Sequence, residues 1–223
     1  MTPGGDVSAT GAPSAPSAVC VFDLDHTLVS SPLDLRAVAR EMEALVRARG
    51  VALPAREQRW SAPELFDLVR GEAAHLVEEA LAIPVAHERR AMEHATLEPF
   101  ATETLAALRQ LGFAIAVWTN NDRVVADFVL ARFDLLRHLD LVVTRDDVAR
   151  LKPDPDGLRV VRARWPLVPQ VVVVGDSWVD GAAAQAGGVP FIAYRSDTEE
   201  LRRRGVTATA HISSLLDLPV ALA

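Results

Sequence analysis

Residues 18–27 read AVCVFDLDHT: a strand-length apolar run followed by two carboxylates, Asp23 and Asp25, one residue apart. A strand this apolar is covered on both faces, as in a parallel sheet flanked by helices. The construction recurs three times downstream. Residues 114–118 (AIAVW) lead into Thr119, Asn120 and Asn121. Residues 139–143 (LDLVV) lead into Thr144, with Lys152 eight positions on. Residues 171–174 (VVVV) lead into Gly175, Asp176, Ser177 and Asp180, and a weaker fifth run, VPFIAY, occupies 189–194. Helical patterns separate these runs. One carries Leu105, Leu108 and Leu111 and stops at Gly112; another is capped by Asp122 and reaches about residue 131; a third holds Pro155 in its first turn and ends near residue 164. Strand and helix in alternation predict an α/β fold with a doubly wound, Rossmann-like parallel sheet. Ligands of such sheets bind at the carboxyl ends of the strands, where all four polar tips fall.

Residues 33–95 lack a strand pattern. Leu35, Val38, Met42, Leu45 and Arg49 repeat at helical spacing, as do Leu65, Leu68 or Val69, and Leu76, with Pro54, Pro63 and Pro84 as punctuation. The expected organisation is a discontinuous core of residues 18–29 and 97–223, a small all-helical cap over 30–96, and a disordered tail over 1–17. That tail is mostly Gly, Pro, Ser, Ala and Thr, with one Asp and little apolar surface to bury.

The chain has 223 residues and a net charge of −7, with an isoelectric point near 5.4. That balance argues against nucleic-acid binding, which needs a basic face. No run approaches the roughly 20 apolar residues of a membrane span, and the first residues lack the basic and apolar regions of a secretory signal. One cysteine forms no internal disulfide, and mid-strand Cys20 reads as a buried structural thiol. A reduced, cytoplasmic setting with no membrane partner is the expectation. Of 23 basic residues, Lys152 alone is lysine.

Each polar tip has an ordinary reading beside a chemical one. A strand-end Asp is commonly a turn former, but Asp23 and Asp25 side by side repel unless a cation or proton is shared. Two carboxylates with separate roles suit nucleophilic attack plus acid–base catalysis. Thr119 is either a helix cap or a hydroxyl for a phosphate oxygen. Lys152, beside Pro153 and Pro155 and unique in the chain, is either a solvated cation or a point charge for a phosphoryl group. Asp176 and Asp180 are either two caps or oxygen ligands for magnesium.

FDLDHTL, VWTNN, LKPDP and GDSWVD together resemble, in order, the four motifs of the haloacid dehalogenase superfamily. The likeness is strongest to its phosphoglycolate-phosphatase-like branch, in which a helical cap follows the first strand. It covers about 200 residues, and LEPF at 97–100 matches the return from cap to core. The resemblance implies a phosphatase for a small phosphorylated metabolite. Asp23 would attack phosphorus to form an aspartyl-phosphate, and Asp25 would serve as acid and then base. Mg2+ would be held by Asp23, the main-chain carbonyl of Asp25, and Asp176. Thr119, Asn120 and Lys152 would hold phosphate oxygens, with Asp180 in support.

His26 stands where many members carry glycine; a turn residue is the simpler reading, a leaving-group contact the other. Asp25 argues against haloacid dehalogenation, whose enzymes lack the second acid. A cap without lysine argues against phosphonoacetaldehyde hydrolysis, which needs a Schiff base. A GDS-type esterase is disfavoured because Ala208 stands three before His211, where its acid belongs. A sugar phosphomutase and a non-catalytic phosphate-binding domain stay open. Selectivity is expected from the cap, with Arg36, Arg40, Arg70 and His75 as candidates. Oligomeric state is not legible.

Overall fold

β1 (Ala18–Phe22) sits inside a six-stranded, wholly parallel sheet in a computed structural model that describes residues 16–56 and 59–222. The remaining strands are β2 (Val29–Ser30), β3 (Thr96–Leu97), β4 (Phe113–Trp118), β5 (Leu141–Val143), β6 (Val171–Gly175), β7 (Phe191–Tyr194) and β8 (Ala210–Ile212). Helices are α1 (Leu35–Ala48), α2 (Ala62–Glu72), α3 (Val77–Glu93), α4 (Ala101–Gln110), α5 (Arg123–Arg132), α6 (Asp156–Arg164), α7 (Trp178–Ala186), α8 (Thr198–Arg203) and α9 (Leu218–Ala221). The sheet runs β5-β4-β1-β6-β7-β8, so β1 lies between β4 and β6 and the tips of all three adjoin.

Alternation along each strand feeds two apolar layers. Cys20, Phe22, Ile115, Val117, Val172 and Val174 pack on one face with α4 and α5. Val19, Val21, Ala114, Ala116, Trp118 and Val173 pack on the other with α6 and α7. A third apolar cluster belongs to the helical segment: Val38, Met42 and Val46 of α1, Leu65, Phe66 and Val69 of α2, and Ala80 of α3. Among the described residues no helix is long and apolar enough to cross a membrane.

Several features depart from the sequence expectations. β8 extends the sheet beyond the five runs, and β2 pairs antiparallel with β3 where the chain passes to and from the helical segment. Each ribbon strand is two residues long, too short for any alternation to show. Pro84, expected as punctuation, lies buried inside α3. Its missing N–H costs one helical bond. Apolar packing on both sides carries the helix through it, Ala80 in the cap cluster and Met92 in the sheet core. Pro155 precedes α6 as its N-cap rather than occupying its first turn. Leu35, counted in the apolar face of α1, is 64% exposed.

Most of the expected tail, residues 1–15, lies outside the described residues. Ser17 joins the fold, donating its N–H and hydroxyl to the Gly112 carbonyl at 3.2 and 3.3 Å.

The helical segment is tied over the strand tips by polar contacts. Glu88 of α3 pairs with Arg145 in a buried ion pair. Glu88 also accepts the Asp122 N–H at 3.1 Å. Arg70 of α2 reaches the Ala149 carbonyl, three residues before Lys152. Of the four selectivity candidates, Arg70 alone shows a contact to the core among the described residues; Arg36, Arg40 and His75 are exposed on the helical segment.

Candidate active site

Lys152 organises the cleft. Its ammonium, 3% exposed, donates to Asp23 Oδ1 at 2.5 Å, Asp180 Oδ1 at 2.6 Å and the Trp118 carbonyl at 2.8 Å. Those three acceptors sit at the ends of β1, β4 and α7's first turn, so one side chain ties together three of the predicted tips. Burial alone would push the Lys152 pKa down, but Asp180 and Asp23 outweigh it and hold the ammonium above the ordinary lysine range. All three N–H donors are occupied, so Lys152 offers a phosphate its charge rather than a free donor.

Local sequence explains how these groups meet. Ser177 is the N-cap of α7 and forms a capping box with Asp180: Asp180 Oδ2 accepts the Ser177 N–H at 3.2 Å and its hydroxyl at 2.5 Å. Asp180 is therefore both a cap and a partner of Lys152, one oxygen for each task. Gly175 makes this approach feasible, because a Cβ there would stand 2.6 Å from the Asp180 carboxyl carbon. Gly157 does the same for Trp118: a Cβ would stand 2.2 Å from the indole, which packs 5.3 Å from the Lys152 ammonium.

Asp23 has one oxygen on Lys152, while Oδ2 accepts no hydrogen bond among the described residues. Asp25 faces a different environment. Its carboxylate accepts the Ser31 N–H at 3.1 Å and the Ser31 hydroxyl at 2.8 Å, a contact no motif announced. Burial raises the Asp25 pKa against the pull of His26 and Ser31. His26 is exposed and has φ of 59°, the left-handed turn geometry where glycine is unstrained.

Thr119, 2% exposed, accepts the Asn121 N–H at 3.1 Å and keeps its hydroxyl proton. The Asn120 side chain turns to main chain: Nδ2 donates to the Lys152 carbonyl at 3.0 Å and Oδ1 accepts the Lys152 N–H at 2.9 Å.

Asp23, Asp176 and Asp180 each bring an oxygen within 4.8 Å of the others. An all-oxygen set fits a hard divalent cation. Asp180 has both oxygens engaged by protein donors, so Asp23 and Asp176 have the greater capacity for a metal, and a carboxylate oxygen that accepts one hydrogen bond keeps a lone pair for a cation. Asp25, Asp23, Asp176 and Asp180 together outnumber the one ammonium, which also favours a bound cation. Without one, burial pushes Asp23 up to about 7, with Lys152 opposing and Asp180 adding to it. Burial, then Asp180 and Asp23, push Asp176 up to about 8.

Raised carboxyl pKa values mean the folded state binds more protons than the unfolded one between about pH 4 and about pH 8. The contribution of these two groups to stability is therefore greatest below the unfolded value and is lost as pH rises. In chelator, the thermal midpoint is expected to be higher near pH 5.5 than near pH 8, and Asp176→Asn should flatten that slope. An unchanged slope in the variant would show that Asp176 carries no desolvation strain.

Cys20 has no base beside it; burial in β1 pushes its thiol well above the usual range, and it takes no part in the cleft.

A family model described as haloacid dehalogenase-like hydrolase matches residues 18–188. The chain is 33% identical over 192 residues to a plasmid-borne phosphoglycolate phosphatase of Cupriavidus necator, covering 82% of each chain. It is 30% identical over 207 residues to a phosphoglycolate phosphatase of Rhodobacter capsulatus, covering 88% of this chain and 91% of that one. Among solved structures, a hydrolase from Pseudomonas syringae aligns with a TM-score of 0.66 at 24% identity, over 92% of this chain and 97% of the other. A HAD-superfamily hydrolase of subfamily IA from Geobacter sulfurreducens aligns with a TM-score of 0.60 at 23% identity, over 92% and 99%.

Proposed function

The chain belongs to the haloacid dehalogenase-like hydrolases, and from that premise we propose a magnesium-dependent phosphatase that hydrolyses a small phosphorylated metabolite through an aspartyl-phosphate on Asp23. The observation that carries this reading is the asymmetry of Asp23. One oxygen is held by Lys152 at 2.5 Å while the other is free of protein donors among the described residues, and Asp25 stands apart with both oxygens on Ser31. The two carboxyls are thus given different partners, as separate nucleophile and proton-donor roles require.

The free oxygen of Asp23 attacks phosphorus as the bond to the leaving oxygen breaks, and Asp25 donates its proton to that oxygen. In the second half, Asp25 takes a proton from the water that attacks the phosphoryl group, and the bond to Asp23 breaks to release inorganic phosphate. The Thr119 hydroxyl donates to a phosphoryl oxygen, and Lys152 supplies positive charge beside both reactants. Bound magnesium, held by Asp23, the Asp25 main-chain carbonyl and Asp176, would offset repulsion between the carboxylate and the phosphate dianion. The cap segment excludes bulk water when closed and must open for release.

Phosphoglycolate is the first substrate to test, because the relatives above carry that name. A cytoplasmic setting belongs to the same proposal, with the single cysteine buried and free. Phosphate release from phosphoglycolate and from 4-nitrophenyl phosphate is expected with magnesium and abolished by chelator. Turnover that persists in chelator would remove the metal from the reaction.

A further inference from the structure

We propose that Asn120 is a positioning residue for Lys152 rather than a ligand of the phosphate. The inference rests on the phosphatase reading above and changes what the second motif does within it. The side-chain amide meets one main-chain acceptor and one main-chain donor of the same residue, at 3.0 and 2.9 Å. That pattern fixes its orientation: a flipped amide would set donor against donor and acceptor against acceptor. The clasp joins the tip of β4 to the loop before α6, across 32 positions of sequence.

The loop has reason to need a clasp. Lys152 is 3% exposed, and its N–H and carbonyl lie outside any helix or strand, so without Asn120 both groups would be buried and unpaired. A lysine stem is flexible, and where its ammonium comes to rest depends on where its main chain is held. Asn120 pins that end. Asp156 pins the approach, accepting the Ala149 and Arg150 N–H groups at 3.0 Å each. At the other end the ammonium meets Asp23, Asp180 and the Trp118 carbonyl, all within 2.8 Å. Trp118 lies in the same strand tip as Asn120, so β4 grips both the root and the head of one side chain. Asn120 acts on the reaction by keeping Lys152 on Asp23 Oδ1, which leaves Oδ2 as the oxygen presented to phosphorus.

Asn120→Ala is expected to lower kcat by about 10- to 100-fold, the scale on which a displaced catalytic group loses rate. The KM for an aryl phosphate and the inhibition constant of inorganic phosphate should rise no further than they do in Lys152→Met, because any loss comes through the displaced ammonium. In a Lys152→Met background, where the residue to be positioned is gone, Asn120→Ala should cause no further loss. A phosphate ligand behaves otherwise: phosphate inhibition would weaken further when Asn120→Ala is added to Lys152→Met, and the two losses would multiply. Multiplied losses would overturn the proposal. A crystal structure of Asn120→Ala decides the point independently of turnover. The Lys152 ammonium is expected to leave hydrogen-bond distance of Asp23, and finding it unmoved on all three acceptors would overturn the proposal too. Wild-type protein that releases no phosphate with magnesium would sink the phosphatase reading alone, leaving the crystallographic test standing.

Discussion

Asp23→Asn is expected to reduce kcat by about 10⁴-fold or more, the scale of loss when a covalent nucleophile is removed. The amide keeps the shape of the carboxyl and can still accept from Lys152, so the fold should survive. Its free end is a weak nucleophile, and no acyl phosphate forms. The variant should also be more stable than the wild type near pH 8 without metal. Burial already pushes the Asp23 carboxyl up to about 7, so its charge is opposed by the folded state and a neutral amide escapes that opposition. Lost activity with a thermal midpoint raised by a few degrees is the signature to look for. Turnover at the wild-type rate would eliminate Asp23 as nucleophile, and a lower midpoint would show that its bond to Lys152 outweighs its desolvation.

For Asp25→Asn the expectation is a change in the shape of the time course. Nitrophenolate leaves without help from an acid, so the first step on 4-nitrophenyl phosphate should persist. Water activation then lacks its base. One equivalent of nitrophenol should appear quickly, followed by steady turnover slowed about 10²- to 10⁴-fold, the usual range for a missing acid or base. The phosphorylated protein should accumulate and be seen as a mass increase. An alkyl phosphate, whose leaving oxygen needs the proton, should lose the first step as well. Equal rates for wild type and variant on both substrates would take Asp25 out of proton transfer.

Much of this site could be read before any coordinates. Asp23, Asp25, Thr119 and Asp176 stand at or just past apolar runs, Asp180 and Lys152 follow on the segments leaving them, and the sheet gathers the ends of those runs because its strands are parallel. Other members of the site left no trace in the pattern. Ser31 lies six residues beyond Asp25, just after β2, yet it donates both its N–H and its hydroxyl to that carboxylate. Asn120 was legible as a strand-tip residue but not as a clasp on Lys152, since its partners are main-chain groups that every residue carries. Gly157 and Gly175 read as ordinary glycines until Trp118 and Asp180 are seen filling the space a side chain would occupy.

The amino-acid sequence alone determined the α/β alternation, the helical segment after the first strand and the order of the polar tips. Each of these follows from neighbours a few positions apart, through strand and helix periods and the turn residues between them. Only the tertiary structure decided which tip meets which. Asp23 and Lys152 are 129 positions apart, and their contact depends on strand order, register and the reach of one side chain. Parallel packing brings the tips of β1, β4 and β6 together. The hydrogen-bonding capacity of a single buried ammonium then assigns Asp23 and Asp180 their parts, because three donors demand three acceptors and no local pattern names them.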